Sequence, residues 1–113
     1  MAKDFVYLIS SDKVGSQDPE LGKKLVNTFF LKLIQAQHLP THILLMERGV
    51  QLLKPDSLSL DPLKVLEERG VKIMACQTCL DYYGIKDSIA AGTVSNMPEI
   101  IETIHAAAKV IHL

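Results

Sequence analysis

Cys76 and Cys79 are the only cysteines in the chain, and they stand three positions apart in Val71-Lys72-Ile73-Met74-Ala75-Cys76-Gln77-Thr78-Cys79-Leu80. This C-x-x-C falls where a β-branched apolar run gives way to a helical pattern. Paired thiols there suit two chemistries, dithiol redox exchange and the carriage of sulfur as a persulfide. A thiol at a helix N-terminus meets unpaired N–H groups and roughly half a positive charge, both favouring the thiolate. A fall in pKa from about 8.5 to about 7 would raise the thiolate fraction at neutral pH from about 3% to about half. If Thr78 caps the helix, Cys79 is its first residue; if the helix begins earlier, Cys76 sits at its mouth and Cys79 turns inward. Cys76 is the expected exposed nucleophile, and Cys79 the neighbour that resolves it as a disulfide. The plainer alternative is two small core residues, because free cysteine is among the most buried residue types. A zinc site needs four ligands, and no second cysteine pair follows. His38 and His42 flank Pro40, while His105 and His112 fall on different elements. No metal and no cofactor are expected.

Phe5 to Ile9, Ile43 to Met46 and Val71 to Ala75 are continuous apolar runs, the pattern of parallel strands covered on both faces. Thr93-Val94 and Val110 to Leu113 add two shorter strands. Between the strands the period becomes helical. Leu21, Leu25, Phe29 and Leu33 form one row, with Val26, Phe30 and Ile34 beside it, and Leu31 adds apolar surface on another side. So wide a stripe suggests that part of this helix faces a partner subunit. Asp18-Pro19 and Asp61-Pro62 read as N-caps before a first-turn proline. Asn96 to Glu99 reads as a capping box opening a helix that buries Ile100, Ile101, Ile104 and Ala108. Gly70 ends the helix of Leu63, Val65 and Leu66. The segment from Gly49 to Leu60 has no helical period; it reads as an extra turn, a lid, or an ordered excursion held by Leu52, Leu53 and Leu58.

The alternation predicts a single α/β domain over residues 1–113, a three-layer sandwich around a mainly parallel five-stranded sheet with right-handed crossovers. Ligands of such sheets bind beyond the carboxyl ends of the strands. The loops Ser10-Ser11-Asp12, Glu47-Arg48-Gly49 and Cys76-Gln77-Thr78-Cys79 should converge there. Beside the cysteines, Ser11, Asp12, Arg48, Gly49, Gln77 and Thr78 are the candidate substrate contacts. If Arg48 faces the thiol, its charge would help hold a thiolate or persulfide. Ordinary turn chemistry for the serines and Asp12, and a solvated charge pair for Glu47 and Arg48, are the competing readings.

The 113 residues carry twelve basic and thirteen acidic side chains, and neither sign forms a run. Nucleic acid and anionic membrane are therefore not expected partners. Met1 to Ser10 holds an apolar run of only five residues, too short for a signal segment or a span. A cytoplasmic protein with reduced thiols is expected. No glycine-rich phosphate loop can be read around Gly15 and Gly22. Thioredoxin places its C-x-x-C after an early strand and before a proline-bearing one, an order this chain lacks.

The run Cys76 to Asp87, with Gly92 to Thr103 and Ala108 to Ile111, resembles the DsrE/DsrF-like superfamily, and more closely the carboxy-terminal domain of YedF-type, sulfurtransferase-like proteins linked to selenium metabolism. Ser10-Ser11-Asp12, Glu20-Leu21-Gly22 and Gly49-Val50 fit the same pattern. The resemblance implies a flavodoxin-like arrangement, assembly into homo-oligomers, and a cysteine after the third major strand that accepts and passes on persulfide sulfur. That position matches Cys76, and Cys79 matches the second cysteine of the YedF-type motif. Gln77 stands where those proteins often have glycine. Full-length relatives carry a preceding TusA-like domain, whereas this sequence opens on its first strand, so a sulfur donor or acceptor is expected as a separate, TusA-like protein. A non-catalytic assembly subunit and a dithiol redox protein are the alternatives.

Overall fold

The computed structural model describes residues 4–113. Strands β1 (Phe5–Ile9), β2 (His42–Leu45), β3 (Lys72–Cys76), β4 (Thr93–Ser95) and β5 (Lys109–His112) form one sheet in the order β4-β3-β2-β1-β5. Every pairing is parallel, so the sheet is wholly rather than mainly so. Helices α1 (Pro19–Leu33), α2 (Leu60–Glu68), α3 (Gln77–Tyr83) and α4 (Met97–Ala106) connect successive strands. Three crossovers advance the same way and the fourth returns past β1. Right-handed connections then put α1, α2 and α3 on one face and α4 on the other.

Packing follows that division. Ile9, Ile43, Leu45, Ile73 and Ala75 meet Val26, Phe30 and Leu33 of α1, Leu63 and Leu66 of α2 and Leu80 of α3. On the opposite face Val6, Leu44, Met74 and Cys76 close around Ile100 of α4. Each large aliphatic or aromatic side chain so buried contributes on the order of 1.5–3 kcal/mol. The alternating parity of these positions is the period-two geometry of a strand covered on both faces.

Several expectations change in detail. The buried row of α1 is Gly22, Val26, Phe30 and Leu33, while Leu21 is 53% exposed and Leu25 and Leu31 also face outward. Asp18 occupies the N-cap of α1, but its side chain makes no capping bond. Helix α2 starts before Asp61: its N-cap is Ser59, and Leu63 N–H donates to the Ser59 carbonyl. A turn in which Leu60 N–H donates to Ser57 O delivers the chain already helical, and Pro62 is accommodated in the first turn, where N–H groups lack intrahelical partners. Gly70, at φ +95°, closes α2 with Val71 N–H on Leu66 O and Gly70 N–H on Glu67 O. In α4 the Asn96 side chain accepts from Glu99 N–H at 2.9 Å, but the Glu99 carboxylate takes the Ser95 hydroxyl, so the box is half made. Only Ile100 of that helix is fully buried. Ile101 is 42% exposed, Ile104 is half-buried, and Ala108 lies beyond the helix and exposed, because a single helix over this face can turn only one row inward.

The long connection after β2 is a 3₁₀ segment, Glu47–Leu53, with Gly49, Val50, Leu52 and Leu53 buried. It is a packed wall, and Leu58, 79% exposed, takes no part in holding it. Gly49 lies so close to β1 that a Cβ there would clash with the Ile9 carbonyl oxygen. Gly49→Ala should therefore lower stability by about 1–3 kcal/mol, the range for overpacking. Urea unfolding measures it, and an unchanged midpoint would refute the close approach.

Candidate functional site

The three loops at the carboxyl edge are tied together by their own polar groups. Arg48 reaches Asp12 through Nε to Oδ1 at 3.4 Å and Nη2 to Oδ2 at 3.3 Å, joining the loop after β2 to the loop after β1. Its guanidinium also lies 5.9 Å from the centroid of the Tyr83 ring on α3. Glu47 N–H donates to Cys79 Sγ at 3.1 Å, joining the loop after β2 to the motif after β3. Asp12, Arg48 and the cysteine motif thus share one corner of the molecule.

The two cysteines occupy unlike positions. Cys76 is the last residue of β3 and the N-cap of α3. Strand alternation turns it onto the α4 face among Val6, Leu44, Met74 and Ile100, where it is 2% exposed. The expected exposed nucleophile is therefore buried, because β3 runs one residue further than its apolar run suggested and carries the thiol into the core. Cys79, the third residue of α3, is partly exposed and packs against the margins of both core clusters.

The electrostatics of Cys79 also depart from a simple helix-terminus argument. Burial pushes its thiol up from the ordinary value, the Glu47 N–H pulls the other way, and the neighbouring Cys76 thiol and Glu47 carboxylate push up again. The balance is upward, so the resting group at neutral pH is the thiol. Glu47 is held at φ +49°, a left-handed conformation that costs a non-glycine residue roughly 1–3 kcal/mol. That conformation begins the 3₁₀ segment at the residue whose N–H meets the sulfur. Sequence reading had no signal for it, since any residue supplies an N–H and the unusual dihedral leaves no trace in residue type.

The remaining candidates separate. Ser11 accepts the Lys13 N–H at 3.1 Å, which is local turn chemistry. Gly49 is buried and serves the close approach to β1. Gln77 and Thr78 are exposed on the first turn of α3 and have no side-chain hydrogen bond among the described residues. Ser10 and His112, neighbours across β1 and β5, are joined by an Oγ to Nε2 bond of 3.0 Å. Tyr83, beneath Arg48, belongs to this corner as well.

A neutral alkylating reagent should accordingly modify Cys79 at least tenfold faster than Cys76 in the folded protein. The Cys79 rate should rise with pH to a midpoint above that of an ordinary thiol. Peptide mapping after partial modification reads both, and faster labelling of Cys76 would reverse the assignment.

Comparison with known proteins places this geometry. The sequence profile of the DsrE/DsrF-like family matches residues 3–113. No curated protein matches the chain. Among solved structures, the YchN protein of E. coli superposes with a TM-score of 0.71 at 18% identity, covering 99% of this chain and 100% of that one. MTH1491 of Methanobacterium thermoautotrophicum, described as a protein of unknown function, gives 0.69 at 20% identity over 99% and 100% of the two chains. BT1422 of Bacteroides thetaiotaomicron, a conserved protein of unknown function, gives 0.66 at 18% over 97% and 95%. These likenesses carry the fold, and the profile match carries the kinship: the chain belongs to the DsrE/DsrF-like family.

Proposed function

We propose that this protein is a sulfur-relay carrier that holds persulfide sulfur on its C-x-x-C motif, with Cys79 as the first acceptor and Cys76 as the inner partner. The observation that carries the assignment is the Glu47 N–H on Cys79 Sγ, at a partly exposed position, beside a thiol that is buried. This exchanges the roles expected from the motif alone, where Cys76 was the carrier.

The chemistry requires no resident cofactor. The Cys79 thiolate attacks the outer sulfur of a donor persulfide R–S–SH; a new S–S bond forms at Cys79, the donor S–S bond breaks, and R–S⁻ leaves with its electron pair. A persulfide is more acidic than its parent thiol. The Glu47 N–H is therefore better matched to the loaded anion than to the resting thiol, and Arg48, paired with Asp12, stands at the same corner. An acceptor thiolate then takes the outer sulfur and returns Cys79 to its starting state. Should Cys76 attack the inner sulfur first, the products are a Cys76–Cys79 disulfide and hydrosulfide, and a dithiol reductant is needed to reset the pair.

Donor and acceptor are separate proteins or small thiols in this scheme, a TusA-like protein among them, and the cytoplasm is the compartment that keeps such thiols reduced. Sulfur is the proposed cargo; selenium is accommodated by the same steps. No helix is long and apolar enough to cross a membrane among the described residues. A homo-oligomer fits the apolar surface left on the α4 side, where Ile101, Met97 and Val110 are substantially exposed around one helix.

Intact-mass measurement after exposure to a persulfide donor tests the carrier. Wild type and Cys76→Ser should gain the mass of one sulfur atom, and Cys79→Ser should not. No adduct on any of the three would sink the proposal, whereas a loss of two hydrogens on mild oxidation without sulfur gain would favour dithiol redox chemistry. Light scattering reads the assembly: Ile101→Glu should shift a multimer toward monomer, and a monomeric wild type would refute it.

A further inference from the structure

A cavity of about 330 Å³ opens beside the thiol corner, between the loop after β1, helix α1, the 3₁₀ segment and the turn that follows it. Val26 and Leu52, both buried, form its apolar floor. Its rim carries Lys23, Arg48 and Lys54 together with the carboxylates of Asp12 and Asp56. Asp12 is committed to Arg48 in the single ion pair found among the described residues. Lys23, Lys54 and Asp56 also line the cavity and form no ion pair among the described residues, two ammonium groups and one carboxylate around a common space.

Arg48 belongs to the cavity and to the thiol corner alike. Its guanidinium lines the one and lies over Tyr83, a helical turn beyond Cys79, in the other. The residue before it supplies the N–H on Cys79 Sγ. Arg48 thus stands between the cavity and the corner that holds Cys79, next in sequence to the residue bonded to that sulfur. The volume lies at the lower end of small-molecule sites, about 300–1,000 Å³.

We propose that this cavity seats the charged part of a small peptide-like thiol carrying two carboxylates and one ammonium, and that the persulfide of such a thiol is a sulfur donor to Cys79. The carboxylates meet Lys23 and Lys54, the ammonium meets Asp56, and the amide groups lie against Gln51. The sulfur step is the displacement already written, with the small thiolate as leaving group. The inference rests on the carrier reading, but its binding half stands apart from sulfur transfer.

S-methylglutathione, which has this charge pattern and no transferable sulfur, is the probe. Titrated into the Cys79→Ser protein and followed by amide NMR, it should give saturable shifts around Lys23 and residues 54–59. The Lys23→Ala/Lys54→Ala double variant, altered at two side chains away from the core, should bind at least tenfold more weakly. Absence of saturable shifts, or undiminished binding by the double variant, overturns the site. A protein that binds the probe but takes no sulfur from glutathione persulfide keeps the site and loses the carrier function. Uptake of sulfur from inorganic polysulfide with no probe binding keeps the carrier and removes this donor.

Discussion

A parallel strand–helix–strand crossover turns right-handed because a right-twisted strand packs its helix back onto the sheet only that way. Here four strands advance in one direction before the fifth returns beyond the first. The rule then leaves no freedom: three helices cover one face and a single helix covers the other. Nearly everything particular about the molecule follows. The crowded face supplies the larger core and the packed 3₁₀ wall. The sparsely covered face receives the side chain of Cys76 and leaves apolar groups of α4 and β5 in solvent. The site forms at the edge between these two regimes, which is why one thiol of the pair is sealed and the other is reachable.

That asymmetry changes what a C-x-x-C can mean. In a dithiol oxidoreductase the reactive thiol is depressed in pKa and exposed, and its partner waits behind it. In this chain the reachable thiol is pushed upward by burial, and the donor directed at it among the described residues is a backbone N–H of a left-handed residue. Such a donor strengthens as negative charge arrives and contributes little to a neutral group. A site with that character is better suited to keeping an anionic sulfur chain than to initiating rapid exchange.

The sequence made the strands legible, because three apolar runs and two shorter strands separated by helical periods admit few arrangements. Gly70 announced the end of α2, and Asn96 the start of α4, through chemistry that local residue type alone supplies. What the sequence concealed was set by tertiary context. Asp61 looked like a cap until the turn at Ser57 delivered the chain already helical. Leu21 and Leu25 looked like core until the sheet selected the neighbouring row. At the site, the convergence of Asp12, Arg48 and the cysteines was foreseeable from topology, and the ranking of the thiols was not. One additional strand residue at Cys76 inverts inward and outward, and no composition signal marks that single step.

The close approach of Gly49 to the Ile9 carbonyl has a further meaning for traffic through the site. With no side chain between the two backbones, the wall that carries Glu47 is packed directly on the end of β1. Sulfur transfer demands near-linear alignment of three sulfur atoms, so one party must search for the angle. In the proposed relay this protein is the stationary party. On that proposal mobility belongs to whatever delivers or collects the sulfur, a cysteine on a flexible tail or a free small molecule, and the protein would act as a fixed berth at which more mobile vessels align themselves.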